Sequence, residues 1–159
     1  MSYVDANLLA GEEVVYRTRL HWKVFIAPIA FALIVSVPLA WVAYAGTWNA
    51  FAWIPLAIAL LWFLAALIRR QTSEFVVTNK RVVMKAGVLT VRSIELLLSK
   101  VEAIAVHQTL AGRLFGYGDI VLTGSGGTKE PFASIQSPLA FRNAAQAATD
   151  ARIVRADEA

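Results

Sequence analysis

From residue 24 to residue 68 the chain has no alternation of polar and apolar positions: 38 of these 45 residues are apolar and none is charged. Alternation returns at Ser73, with the two-residue period of strands. A hydrocarbon core about 30 Å thick takes roughly 20 apolar residues of helix, so the run is long enough to cross twice. Its only Gly and Asn fall together in Ala45-Gly46-Thr47-Trp48-Asn49, the composition of a tight turn. The pattern predicts a transmembrane helical hairpin over residues 24–68, with spans Val24–Tyr44 and Ala50–Ile68. Pro28 and Pro55 lie in the first turns of these helices, where a missing N–H matters little. Pro38 is interior and is expected to bend the first.

Beyond the run, Ser73–Thr78 and Arg81–Lys85 predict a β-hairpin turning at Asn79-Lys80, ended by Gly87. Thr90–Leu98 and Lys100–Gln108 predict two more strands. The apolar positions of the second slip register near Glu102, which predicts a bulge or single turn there. Gly112–Gly118 is too glycine-rich for an element interior and is expected to be a shaped loop. Asp119–Thr123 and Pro131–Ile135 predict strands joined by the Gly124–Gly127 turn. Ser137 as N-cap and Pro138 at N1 then open a helix to about Ala151. Residues 1–23 form an N-terminal segment with a short strand at Glu13–Arg19, and residues 69–159 the folded domain. Five to seven strands and one C-terminal helix describe a small mainly-β barrel or sandwich.

Composition sharpens this division. The whole chain is 58% apolar, above the roughly 45–50% of soluble domains. The 114 residues outside the run are 47% apolar, an ordinary soluble value. The absence of cysteine excludes disulfide scaffolds, thiolate metal sites and cysteine nucleophiles. His21 and His107 are the only histidines, too few for a multi-histidine centre. No cofactor or metal is expected.

Charge sets orientation. Arg17, Arg19 and Lys23 precede the first span and Arg69-Arg70 follow the second, while the turn carries no base. The positive-inside rule puts both termini in the cytoplasm of a multi-pass protein of the bacterial inner membrane. Trp22, Trp41, Tyr44, Trp48 and Trp53 sit where interface anchors belong, with Arg69 and Arg70 beside them. Ala43-Tyr44-Ala45 mimics a signal-peptide cleavage site, but the apolar run before it is too long and the 23-residue leader carries three acids. Within the run only Ser36, Thr47 and Asn49 are polar, so an anchor is expected rather than a transport pathway. Ala52, Ala59 and Ala66 recur every seven residues, with Ala65 beside the last. Small residues let helices approach closely, so this stripe is expected to pack on the first helix or on a second copy of the chain.

Several motifs carry the mark of a family. Gly11-Glu-Glu-Val-Val-Tyr-Arg17 and Arg19-Leu-His-Trp22 precede the hairpin; Phe75-Val-Val-Thr-Asn-Lys-Arg81, Lys85-Ala-Gly-Val-Leu89 and Arg113-Leu-Phe-Gly-Tyr-Gly-Asp-Ile120 follow it. A Gly-rich turn and the Pro138-Leu-Ala-Phe141 helix start complete the order. The chain resembles, over essentially its whole length, the membrane-flanked bacterial pleckstrin-homology-like (PH-like) family of the second class, also called YdbS-like. That resemblance implies a barrel of two roughly orthogonal antiparallel sheets with a C-terminal helix across one open end. It implies no catalytic residue.

Competing chemistry is sparse. Gly124-Ser-Gly-Gly-Thr-Lys129 lacks the Gly before Lys and the Ser or Thr after it that a phosphate loop needs. Ser99 and His107 form the one conceivable nucleophile and base, without a G-x-S-x-G elbow, and leave a hydrolase as the remote alternative. Glu102 and Asp119 are lone carboxylates. The basic set Lys80, Arg81, Lys85 and Arg92 is the candidate contact for lipid headgroups or a partner, through charge-assisted hydrogen bonds to phosphate. Residues 69–113 carry a net +5, which beside a bilayer points to anionic lipid before nucleic acid. The chain is thus expected to be a non-catalytic, membrane-anchored interaction or scaffold module. Its expected partners are the bilayer, other membrane proteins or copies of itself, with no nucleic acid. An anionic-headgroup sensor built on the basic hairpin is the alternative.

Overall fold

The strand Glu74–Thr78 (β2) is buried at every residue, where a half-solvated strand would expose alternate ones. Its neighbours explain this. It pairs antiparallel with Arg81–Ala86 (β3) on one side and with Val14–Thr18 (β1), from before the apolar run, on the other. Phe75 and Val77 join the main core, whereas Val76 and Val83 form a second cluster with Val4 of the short helix Tyr3–Ala6 (α1). The computed structural model describes residues 3–46, 53–87 and 91–157.

Arg92–Leu97 (β4) completes a sheet ordered β1-β2-β3-β4. A turn of 3-10 helix, Leu98–Lys100, leads to a second sheet, Val101–His107 (β5), Tyr117–Gly124 (β6) and Lys129–Gln136 (β7), ordered β5-β6-β7. A register shift between Val101 and Ala103 falls at the expected bulge near Glu102. The two sheets meet where Leu20 bridges Ile135 and the His21 N–H donates to the Ser134 carbonyl at 2.8 Å. Helix Pro138–Asp157 (α5) begins at the expected proline and runs past Ala151. Its Phe141, Ala145 and Ala148, spaced to share one face, enter the core with Met84, Leu122 and Phe132. Ser137, just ahead, takes φ +49°, and its carbonyl accepts from the Phe141 N–H at 3.2 Å.

Between β1 and β2 lie helices Ile26–Tyr44 (α2), reached through the 3-10 turn Trp22–Phe25, and Ile54–Thr72 (α3). Both are long and apolar enough to cross a membrane. α3 continues past the expected end at Ile68, because Arg69, Arg70 and Gln71 are good helix formers, and it stops where Ser73 turns extended. Thr47, Trp48, Asn49, Ala50 and Ala52, on which parts of the turn, second span and alanine stripe were expected, lie outside the described residues. Phe25 stacks on Phe63 at 5.3 Å and Phe31 on Trp62 at 5.9 Å between ring centroids. Ala59 and Ala66 are buried within the single chain, where α3 packs beside α2. Ala65, beside the last of them, is exposed.

Candidate membrane-facing site

The basic residues of the β2–β3 hairpin grip the N-terminal segment. Arg81 holds Glu12 with two hydrogen bonds, Nε to Oε1 at 2.8 Å and Nη2 to Oε2 at 3.0 Å. It also donates to Glu95 Oε2 at 2.5 Å and to the Asn7 carbonyl at 2.7 Å. The Glu12 side chain has no exposed surface and further accepts from the Leu9 N–H and the Thr78 hydroxyl, each at 2.8 Å. Burial pushes its carboxyl up, but the hydrogen bonds from Arg81, Leu9 and Thr78 outweigh that and leave it below the usual carboxylate value. Lys80 Nζ donates to the Ala10 carbonyl at 2.6 Å, and Asn79 Nδ2 to the Gly11 carbonyl at 3.0 Å. Arg92 pairs with Glu130. Lys85 faces Glu74 and Ser93 across the ladders. Lys80, Arg81 and Arg92, all expected headgroup contacts, therefore have partners within the chain. Glu12, which organises this clasp, stood in the quoted N-terminal motif, but nothing local pointed to a partner 69 positions away.

A second constellation lies where the barrel meets the hairpin. Residues 112–118, expected to be a loop throughout, contribute most of a short helix, Leu110–Phe115 (α4). Gly112 is tolerated inside it because a Cβ there would lie 2.6 Å from the Tyr117 carbonyl oxygen, so the glycine permits close packing on β6. Thr109 caps the start by accepting from the Gly112 N–H at 3.1 Å, and Gly116 ends the helix at φ +74°. Against this unit sits His21, its ring 5.0 Å from Tyr117 and 5.2 Å from Trp22. Its Nδ1 accepts from the Lys23 N–H at 3.2 Å, and the ring also hydrogen-bonds the Phe115 backbone. Lys23 Nζ stands 3.9 Å over the Tyr117 ring. Arg70 Nε donates to the Leu20 carbonyl at 3.2 Å, and its guanidinium lies 5.8 Å over Phe25.

Burial pushes the His21 imidazole down, and Lys23 and Arg70 push the same way, against the Phe115 hydrogen bond. The neutral ring is the form that fits. Its contribution to stability is complete above the ordinary value of 6.5 and is lost as pH falls through the lowered folded value. Hydrogen exchange at residues 110–117, corrected for intrinsic rates, is expected to rise below pH 6.5 relative to the rest of the barrel. His21→Gln should abolish that pH dependence, and a dependence unchanged in the variant would assign it elsewhere.

The conceivable catalytic residues do not converge. Ser99 precedes β5 and His107 ends it, a separation of about 20 Å or more along a strand. Asp119 faces His107 in the ladder, but its carboxylate accepts from the Ser134 N–H at 2.8 Å, where Ser134 takes φ +64°. Glu102 is exposed on β5. Residues 125–128 form the turn between β6 and β7, not the start of a helix. Among the described residues no group of three or more acids and histidines is placed to hold a metal ion.

A family model described as Bacterial PH domain matches residues 13–156. The match begins just before β1 and ends within α5, so it takes in the apolar hairpin along with both sheets. No curated protein and no solved structure matches the chain.

Proposed function

The chain belongs to the bacterial PH domain family, and on that premise we propose that it is a non-catalytic interaction module, held at the cytoplasmic face of the inner membrane by the α2–α3 hairpin. One observation carries the anchoring: β1 and β2 are neighbours in one sheet, yet the hairpin lies between them in sequence. Both ends of the hairpin must then lie on the same side of any membrane it enters, which two crossings satisfy and one does not. The exposure of the helices supports the same reading. Only 6% and 11% of their most apolar windows are buried, and an apolar surface of that extent is unfavourable in water. Trp22, Trp41, Tyr44 and Trp53 are exposed near the helix ends, as interface anchors should be. Bases flank the two ends and not the connection, which favours cytoplasmic termini. Tethering raises the effective concentration of the barrel toward other membrane proteins without any new contact.

The headgroup sensor stands second, because Arg81 would have to leave a buried carboxylate and Arg92 its partner Glu130. Photo-crosslinking from exposed barrel positions in native membranes separates the two. A discrete protein adduct should persist at about 1 M salt, where the screening length falls to about 3 Å. Adducts to lipid alone, lost at that salt, would favour the sensor and overturn the proposal.

A further inference from the structure

Resting on the anchoring proposed above, we infer that α4 dips into the headgroup region of the bilayer that the hairpin crosses, with Leu110, Leu114 and Phe115 as the inserted side chains. Exposure is the first reason. Leu110 is 85% exposed, Leu114 79% and Phe115 54%, all within one six-residue helix. Single exposed apolar residues need no explanation; a contiguous set does. Depth is the second. The Phe115 ring meets the Trp22 ring edge-on at 6.4 Å, and Trp22 opens the 3-10 turn that leads directly into α2. A side chain touching the threshold of a spanning helix lies at headgroup level, the region where aromatic rings gather. The anchor thus fixes which surface covers this patch.

Packing is the third reason. α4 packs on the barrel through Gly112 against Tyr117, and Gln108 Nε2, just ahead of it, donates to the Tyr117 carbonyl at 3.0 Å. Gly112 is its one buried residue. The leucines are therefore presented outward, with Phe115 beside Trp22. Exposed Arg113 in the same helix adds a positive charge suited to anionic headgroups. Lys23 over Tyr117 and Arg70 on the Leu20 carbonyl already join the barrel to the hairpin close to its axis. A contact displaced from the hairpin axis fixes the tilt and keeps the far end of β6 turned to the cytoplasm.

The chain lacks cysteine, so single labelled positions are free of background. Full-length L114C, I34C and S125C variants, each carrying an environment-sensitive NBD fluorophore, are reconstituted in vesicles of phosphatidylethanolamine and phosphatidylglycerol. Lipids bearing a spin label at a shallow or a deep acyl position then report depth by quenching. Ile34 lies within α2, and Ser125 follows β6 at the end remote from Tyr117. The Leu114 probe should be blue-shifted and quenched several-fold more by the shallow label than the deep one. Ile34 should be quenched by the deep label, and Ser125 by neither. A Leu114 probe as unquenched as Ser125, with Ile34 still quenched, would overturn the α4 inference and leave the anchor standing. A blue-shifted Leu114 probe that neither label quenches would mean that a second protein chain covers the patch, which also overturns it. Loss of quenching at Ile34 would remove the anchor and this inference together.

Discussion

A fragment of residues 69–159 is expected not to fold, whereas a chain in which residues 22–72 are replaced by a short glycine-serine linker is expected to fold as a soluble domain. The fragment loses β1, and β2 becomes an unprotected edge with a full row of unpaired backbone groups. It also loses Glu12 from beside Arg81 and Val4 from over Val76 and Val83. The linked chain keeps all of these. Thr18 and Phe75 are already ladder partners, and Arg70 reaches the Leu20 carbonyl, so the ends to be joined lie near one another. About six residues, which extend to roughly 20 Å, are ample. Thermal unfolding followed by circular dichroism should show one cooperative transition for the linked chain and none for the fragment. Cooperative unfolding of the fragment alone would show β1 to be dispensable for folding.

The second large effect is expected at Glu12. Glu12→Ala in the linked soluble chain should lower stability by about 3 kcal/mol, the low end of the cost of stranding one member of a buried ion pair. It falls at the low end because Arg81 retains Glu95 and the Asn7 carbonyl. The loss should depend on pH with a definite sign. The Glu12 carboxyl is held below its ordinary value of 4.5. Its contribution is therefore complete above pH 4.5 and disappears as pH falls through the lowered folded value. Denaturant titrations should show wild type and variant far apart at neutral pH and converging in acid. A gap that stays constant down to strong acid would mean that packing, not the carboxylate charge, is what Glu12 supplies.

What the sequence made legible were features with local signals. The Asn79-Lys80 turn, the bulge near Glu102 and the helix start at Pro138 each follow from residues within a few positions of one another, and the structure has them there. The charge-free run marks the two apolar helices, although α3 runs past Ile68, because Arg69 and Arg70 form a last helical turn rather than a boundary. What pairs with what was not legible. Lys80, Arg81 and Arg92 look like an open basic set in the sequence, and only the order of strands brings Glu12, the Ala10 carbonyl and Glu130 to them. α4 is not legible in the sequence for a related reason. Glycine argues against helix in isolation, and the packing that makes Gly112 acceptable there comes from Tyr117, which only the fold sets against it.

The central claim, a hairpin that leaves and re-enters one side of the membrane between two paired strands, is tested most directly by cysteine accessibility in intact cells. The cysteine-free chain takes one cysteine either at Thr47, in the connection outside the described residues, or at Ser125, beyond β6. A membrane-impermeant maleimide should label the Thr47 position in intact cells and the Ser125 position only after lysis. Labelling of Ser125 in intact cells with Thr47 protected, or protection of both until lysis, would contradict the account.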